Sequence, residues 1–272
     1  MGNFISHKGF HWEYEFFGSG EENLLAFHGF GNHASDFKVF ESSLGKKYKI
    51  ISFNLPYHGN STIDENTADT SISKSELKEL FQLFLHQHQI TKFSLMGYSL
   101  GGKIVLQLIE LFPDQINTVF LFAPDGIRNA WSNGFVTRNK IGKGIYQRII
   151  NDPSRFLRFV TMLKGMNLIH EKLSDFLHNS LNTREKRQQV WDVWMCFRDI
   201  IPDIQNIQNI INQHNISIHL YFGKYDRIIP PSIGESFVSR LKNKTGLHVI
   251  EMGHVMVREK MNEFLKSTVG NE

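Results

Sequence analysis

The sequence predicts an α/β fold: a doubly wound, mostly parallel sheet with one helical insertion. Three observations lead there. Short apolar runs, several of them nearly continuous, recur along the chain, as strands do when both faces of a sheet are covered. Between them lie stretches with apolar residues at helical spacing. This alternation argues for a parallel sheet. It stops between 125 and 203, where helical spacing continues without a convincing strand.

Taken in order, Leu24–Phe27 and Tyr48–Phe53 read as strands. A helical stripe follows at Leu77, Leu80, Phe81, Phe84 and Leu85. Phe93–Met96 reads as a buried strand, and Lys103–Leu111 as a helix with Ile104, Val105, Leu108 and Ile109 on one face. Thr118–Phe122 is the next strand. Phe156, Leu157, Val160 and Leu163 carry helical spacing inside the insertion, and Ile204, Ile207 and Ile211 carry it near its end. Ile216–Phe222 and Leu247–Met252 complete the strands. The reading gives a core of 1–124 and 204–272 and an insertion of 125–203. The insertion is expected to be a lid over the strand ends, where such sheets hold their ligands.

Composition narrows the function classes. The chain has 272 residues, 41% hydrophobic and 21% charged, enough for one large α/β core. A net charge of +3 is too mild to imply nucleic acid. One cysteine, Cys196, leaves no internal disulfide and fits a reducing compartment. The first twenty residues lack the apolar core of a signal peptide, and no stretch is long enough to span a bilayer, so a cytoplasmic protein is expected. Met1-Gly2-Asn3-Phe4-Ile5-Ser6 matches a loose myristoylation pattern, but no polybasic run follows, so membrane-surface contact is not expected. The sequons at Asn60, Asn215 and Asn243 read as chance matches. No Cys/His cluster has metal-ligand spacing, and no Gly-rich phosphate loop sits in its strand–helix context. Neither a metal nor a cofactor is expected.

The chemistry centres on Leu95-Met96-Gly97-Tyr98-Ser99-Leu100-Gly101-Gly102. Ser99 stands on the turn between a buried strand and a helix. Exposing its hydroxyl there requires a strained backbone and small neighbours, and Gly97 and Gly101 let strand and helix pass closely. The hydroxyl then lies at a helix N-terminus, where free N–H groups favour developing negative charge.

A nucleophilic serine needs a base and the base an orienting acid. His254 follows the last strand, late in the chain, and Asp226 follows the strand before it, in the order Ser…Asp…His. Asp125 is a rival acid that also follows a strand, although its position suits a helix N-cap. His28-Gly29-Phe30-Gly31 follows the first assigned strand. The backbone N–H groups of Phe30 and Leu100 are the expected oxyanion donors. Phe30 and Tyr98 are expected to contact substrate, and His28 reads as a structural hydrogen-bonding residue.

These motifs resemble the α/β-hydrolase superfamily over nearly the whole chain. The resemblance rests on His28-Gly29-Phe30-Gly31 with Phe37 downstream, Pro56-Tyr57-His58-Gly59-Asn60-Ser61, Gly97-Tyr98-Ser99-Leu100-Gly101-Gly102, Gly223-Lys224-Tyr225-Asp226 and Gly253-His254. One departure is Tyr57, where the family's loop usually has glycine. The resemblance implies an α/β-hydrolase fold and a Ser-His-Asp mechanism without cofactor. The first reading is a serine hydrolase of carboxylic esters or thioesters. The alternatives are a C–C bond hydrolase, a lyase of the menaquinone-pathway type, which is similar in the Gly-Tyr-Ser-Leu-Gly-Gly stretch, and a non-catalytic ligand-binding protein on the same fold.

The insertion bears on the partner. Between 125 and 203 stand thirteen lysines and arginines against eight acids. The same segment holds Trp131, Phe135, Phe156, Phe159, Met162, Met166, Trp191, Trp194 and Met195, read mostly as its core. An apolar pocket under a basic rim would suit a small-molecule substrate with an apolar acyl chain, or an organic anion.

Overall fold

A computed structural model describes residues 2–65, 67, 70–128, 131–242 and 245–268, without the side chains of 131–133 and 176. Asn243 and the Trp131 side chain therefore lie outside the described residues.

Among the described residues, nine strands form one sheet: β1 (Asn3–His7), β2 (Phe10–Phe17), β3 (Glu22–Phe27), β4 (Tyr48–Phe53), β5 (Thr62–Ile63), β6 (Phe93–Tyr98), β7 (Ile116–Phe122), β8 (Ser217–Gly223) and β9 (Thr245–Ile250). Their order is β1-β2-β4-β3-β6-β7-β8-β9, with β5 beside β2. From β4 to β9 the neighbours run parallel; β1, β2 and β5 add antiparallel pairs at one edge. The sheet is thus mostly parallel, as the apolar runs predict. Its central strands are buried on both faces: every residue of β6 is buried, as are Leu24–Phe27 of β3.

The sequence reading omits the β1–β2 hairpin, although its signal is present. Phe10, Trp12, Tyr14 and Phe16 alternate with His11, Glu13 and Glu15, a period-2 pattern. Lys8 and Gly9 make the connecting turn, both at positive φ (47° and 82°). A lysine in the first left-handed position disguises the turn.

The helices are α1 (Glu41–Leu44), α2 (Lys74–Gln87), α3 (Leu100–Leu111), α4 (Trp131–Arg138), α5 (Lys140–Asn151), α6 (Ser154–Gly165), α7 (Glu171–Ser180), α8 (Arg184–Cys196), α9 (Ile204–His214), α10 (Pro231–Val238) and α11 (Glu259–Thr268). Local chemistry explains their starts. Ser73 caps α2, accepting from the Glu76 N–H, while Glu76 accepts from the Ser73 N–H in return. Leu77, Leu80, Phe81, Phe84 and Leu85 are its buried face, and Ile104, Val105, Leu108 and Ile109 are buried in α3.

The chain divides into two compact units. One comprises the described residues of 1–68, 73–129 and 200–272; the other, those of 69–72 and 130–199. The helical unit therefore starts at 130 rather than 125 and ends at 199 rather than 203. Residues 125 and 126 belong to the sheet unit, because the Asp125 N–H donates to the Ser99 carbonyl and Gly126 lies against Lys103 and Leu106 of α3. At the other end, the Asp203 N–H donates to Glu110 of α3.

Within the helical unit, α8 packs against α4, α5 and α7. Its Val190, Val193 and Cys196 are buried. Buried Arg187 donates from Nε to the Ile150 carbonyl and from Nη1 to the Leu181 carbonyl, both at 2.9 Å, satisfying two helix-end acceptors. Trp191 stacks on Tyr146 at 5.4 Å. Phe159, Met162 and Met166, expected in this core, are instead 50–59% exposed. Among the described residues, no helix is long and apolar enough to cross a membrane.

Candidate active site

Ser99 sits between β6 and α3 with φ 49° and ψ −115°, a left-handed conformation costly for a residue bearing a Cβ. Several backbone bonds hold it there. Its N–H donates to the Phe122 carbonyl (3.0 Å), and its carbonyl accepts from Gly102 (2.9 Å) and Asp125 (2.8 Å). The glycines act sterically. A Cβ at Gly101 would overlap the Phe27 carbonyl, and one at Gly97 would sit 2.8 Å from the Gly101 carbonyl oxygen. Only bare backbone lets α3 start this close to β3 and β6.

Asp226 and His254 come from the turns after β8 and β9. Lys224 N–H donates to the Ile250 carbonyl (2.7 Å) and Tyr225 N–H to the Met252 carbonyl (2.9 Å), so the two turns are stitched together. One Asp226 carboxylate oxygen accepts from the Ile228 and Ile229 amides (2.8 and 3.0 Å). The other lies 2.7 Å from His254 Nδ1. His254 Nε2 is 3.2 Å from Ser99 Oγ. A proton on Nδ1 is donated to the carboxylate, leaving Nε2 to accept from the serine hydroxyl. Asp226 is buried, 2% exposed, which shields its carboxylate from water, while the His254 ring stays partly accessible.

Asp125 does not join this group. Its carboxylate accepts from the Gly126 N–H at 2.8 Å. Its expected N-cap role is also absent, because the next helix, α4, begins only at Trp131. Tyr98 is buried, and its hydroxyl donates to the His254 carbonyl at 3.0 Å. That bond makes it a brace under the histidine turn.

Leu100 is the first residue of α3, so its N–H has no intrahelical acceptor. Among the described residues, none accepts from the Phe30 N–H either. Two histidines brace the Phe30 loop. His28 Nδ1 donates to the Gly29 carbonyl (2.7 Å), and its Nε2 accepts from the Leu55 N–H (3.0 Å). His58 Nδ1 donates to the Pro56 carbonyl (3.1 Å), and its Nε2 accepts from the Gly31 N–H (3.0 Å). The loops at 28–31 and 54–58 thus hold each other, and both rings must be neutral to do so.

A further layer supports that bracing. Glu13 of β2 accepts from Asn54 Nδ2 (2.7 Å), the Asn60 N–H (3.0 Å) and Asn60 Nδ2 (2.7 Å). Burial pushes the Glu13 carboxyl up, but the bonds from Asn60 and Asn54 outweigh it and hold the group below its ordinary range. Tyr57, in the same loop, has φ 65°. The position where the family's loop usually has glycine is left-handed in this chain, at a strain cost of roughly 1–2 kcal/mol. Sequence reasoning missed Glu13, Asn54 and His58 as positioning groups.

The histidine brace predicts acid sensitivity. Burial lowers His58 from 6.5 to about 4 and pushes His28 well below 6.5. A depressed histidine costs nothing above pH 6.5, where folded and unfolded chains are both neutral. Between 6.5 and about 4 the unfolded chain binds a proton that the fold refuses, so stability falls with pH; for His58 the loss totals about 3 kcal/mol. Urea unfolding at pH 7.5 and 4.5 checks this. His58→Gln, which keeps an acceptor but does not titrate, should lose less stability across that interval. Equal losses for both proteins would refute the brace.

Among the described residues, no group of three or more His, Cys, Asp or Glu side chains is placed to hold a metal ion.

Comparison with known proteins follows the same line. A protein of Mycoplasma pneumoniae, provisionally named an esterase/lipase, is 32% identical over 106 residues, which are 38% of this chain and 37% of that protein's length. Homo sapiens monoacylglycerol lipase ABHD6 is 21% identical over 97% of this chain and 79% of its own length. An esterase from Thermogutta terrifontis superposes with a TM-score of 0.67 at 15% identity, covering 96% of this chain and 92% of its own, a likeness of fold. The sequence profile of the α/β hydrolase fold matches residues 22–260. With that match spanning the sheet unit, the helical unit and every motif residue from His28 to His254, the chain belongs to the α/β-hydrolase fold family of enzymes.

Proposed function

We propose that this protein hydrolyses carboxylic esters, or thioesters, through an acyl-enzyme on Ser99. The observation that carries the reading is the continuous chain from Asp226 through His254 to a strained Ser99, beside two amides that find no acceptor among the described residues. His254 removes the proton from Ser99 Oγ as it attacks the carbonyl carbon. The amides of Phe30 and Leu100 stabilise the oxyanion. Asp226 keeps the imidazole in the required tautomer and stabilises the imidazolium. His254 then protonates the leaving alcohol or thiol, and water activated by the same histidine releases the acid. The names of the similar proteins, esterase/lipase and monoacylglycerol lipase, support an acyl ester as substrate. A cytoplasmic setting belongs to the same proposal, supported by a sequence whose single cysteine, Cys196, cannot form a disulfide within the chain.

A panel of p-nitrophenyl esters of graded acyl length tests the substrate class. Hydrolysis of several, with butyrate and longer chains turned over faster than acetate, is the expected result. No hydrolysis of any ester or thioester, alongside cleavage of a C–C bond in a vinylogous diketone, would overturn it.

A further inference from the structure

Helix α6 is apolar on two faces, and one of them looks outward. Val160 is buried, with Phe156, Leu157 and Leu163 partly so, and this side packs toward α7. The opposite stripe runs Arg155, Phe159, Met162, Met166, with spacings of four, three and four residues, and Arg158 flanks it one turn after Arg155. On it Phe159 is 52% exposed, Met162 50% and Met166 59%. The turn that ends α6 extends the stripe. Asn167 is left-handed (φ 57°), and the Leu168 N–H donates to the Leu163 carbonyl. In this motif the residue at Leu168 usually packs back on its helix, yet here it is 64% exposed. Helix α5 has the same composition on its own outward side: Ile141 (69% exposed) and Ile145 (45%) lie with Arg148 at i, i+4, i+7. A soluble protein gains nothing from keeping such side chains in water.

The charge around these side chains identifies what covers them. Residues 138–172 contain eight lysines and arginines and only two acids, Asp152 and Glu171. Glu171 is neutralised by Lys164 at 2.8 Å. Hydrogen bonds from Ser154 hold the nearby Asp152 carboxyl below its ordinary range, with a smaller contribution from the charges of Arg155 and Arg158 at the start of the stripe, and neither arginine forms an ion pair among the described residues. A second copy of this chain would bring the same positive charge to the contact and be repelled. An anionic surface with an apolar interior satisfies both features. Unbranched methionines suit a fluid, irregular partner.

We propose that the outward face of α6 docks on an anionic phospholipid bilayer. The helix lies in the plane of the interface. Phe159, Met162, Met166 and Leu168 enter the boundary between headgroups and acyl chains, and Arg155 and Arg158 stay among the phosphates. The sequence argued against membrane contact because it contains no polybasic run. The basic residues are instead spread over helices, where folding gathers them. The proposal does not depend on the hydrolase reading, since the face contains no residue of the Ser99 site.

Co-sedimentation with vesicles of phosphatidylcholine and phosphatidylglycerol in equal parts, against phosphatidylcholine alone, is the test. Wild type should partition onto the mixed vesicles at least about tenfold better, less so as salt rises. The triple variant Phe159→Gln, Met162→Gln, Met166→Gln should lose roughly 100-fold in partitioning. Arg155→Gln with Arg158→Gln should lose roughly tenfold, and this pair keeps the test decisive if the triple variant fails to fold. Ser99→Ala should bind like wild type, which separates this proposal from the fate of the hydrolase reading. Equal binding to both vesicle types, or unchanged binding by the arginine pair, overturns the proposal. So does a concentration-dependent dimer in sedimentation velocity without vesicle binding, which would assign the face to a second copy.

Discussion

Ser99→Ala and His254→Ala should each lower ester turnover by roughly three to six orders of magnitude. The size follows from how the residues act together. Without the hydroxyl there is no nucleophile, and water must attack directly. Without the imidazole, Ser99 Oγ keeps its proton, and a neutral alcohol is a poor nucleophile. The 3.2 Å contact between His254 Nε2 and Ser99 Oγ is short enough for direct proton transfer. Combining the two changes should cost little more than either alone, because each already disables the unit. What remains is binding and the Phe30 and Leu100 amides. Initial rates on p-nitrophenyl butyrate, measured on variants whose melting temperatures match wild type, check this. A residual rate within tenfold of wild type for either would remove that residue from the mechanism.

The acid assignment gives the second large effect. Asp226→Asn should lower turnover by roughly four orders of magnitude, while Asp125→Asn should change it by less than about threefold. An asparagine at 226 keeps the shape and can still accept from Ile228 and Ile229. It no longer offers a charged acceptor to Nδ1–H, so the imidazole loses its required tautomer and its counter-charge. Asp125 lacks any such link, since its carboxylate is bound to the Gly126 N–H. A mild Asp226→Asn with a severe Asp125→Asn would reverse the assignment.

How far the sequence could be read depends on the distance over which each constraint acts. The Ser99 turn is determined within the seventeen residues Phe93–Ile109: an apolar strand, two glycines where a Cβ would collide, and a helical stripe. Its chemistry is therefore written locally. Asp226 and His254 lie far along the chain, but each follows a strand, in the order Ser…Asp…His, and neighbouring parallel strands place such turns at the same end of the sheet. The bracing groups follow no such rule. Glu13 meets Asn54 and Asn60, and His58 meets the Gly31 N–H, across the antiparallel strand β2 and a loop that periodicity does not register. The bond from the Tyr98 hydroxyl to the His254 carbonyl is equally silent in the sequence, because it depends on the turn after β9 folding back onto the strand before Ser99. In α6 the limit is of another kind. Phe156, Leu157, Val160 and Leu163 predict an inward face correctly, but Phe159, Met162 and Met166 satisfy the same criterion of apolarity. Hydrophobic spacing tells which residues share a face, not which face is covered.

Intact-protein mass spectrometry after treatment with a fluorophosphonate tests the central claim most directly, since the reagent phosphonylates a serine activated by its base and held beside an oxyanion site. The account predicts one adduct per chain on wild type, mapped to Ser99 by peptide sequencing, none on Ser99→Ala, and much slower labelling of His254→Ala. An unlabelled wild type, an adduct on another residue, or equal labelling of Ser99→Ala would contradict it.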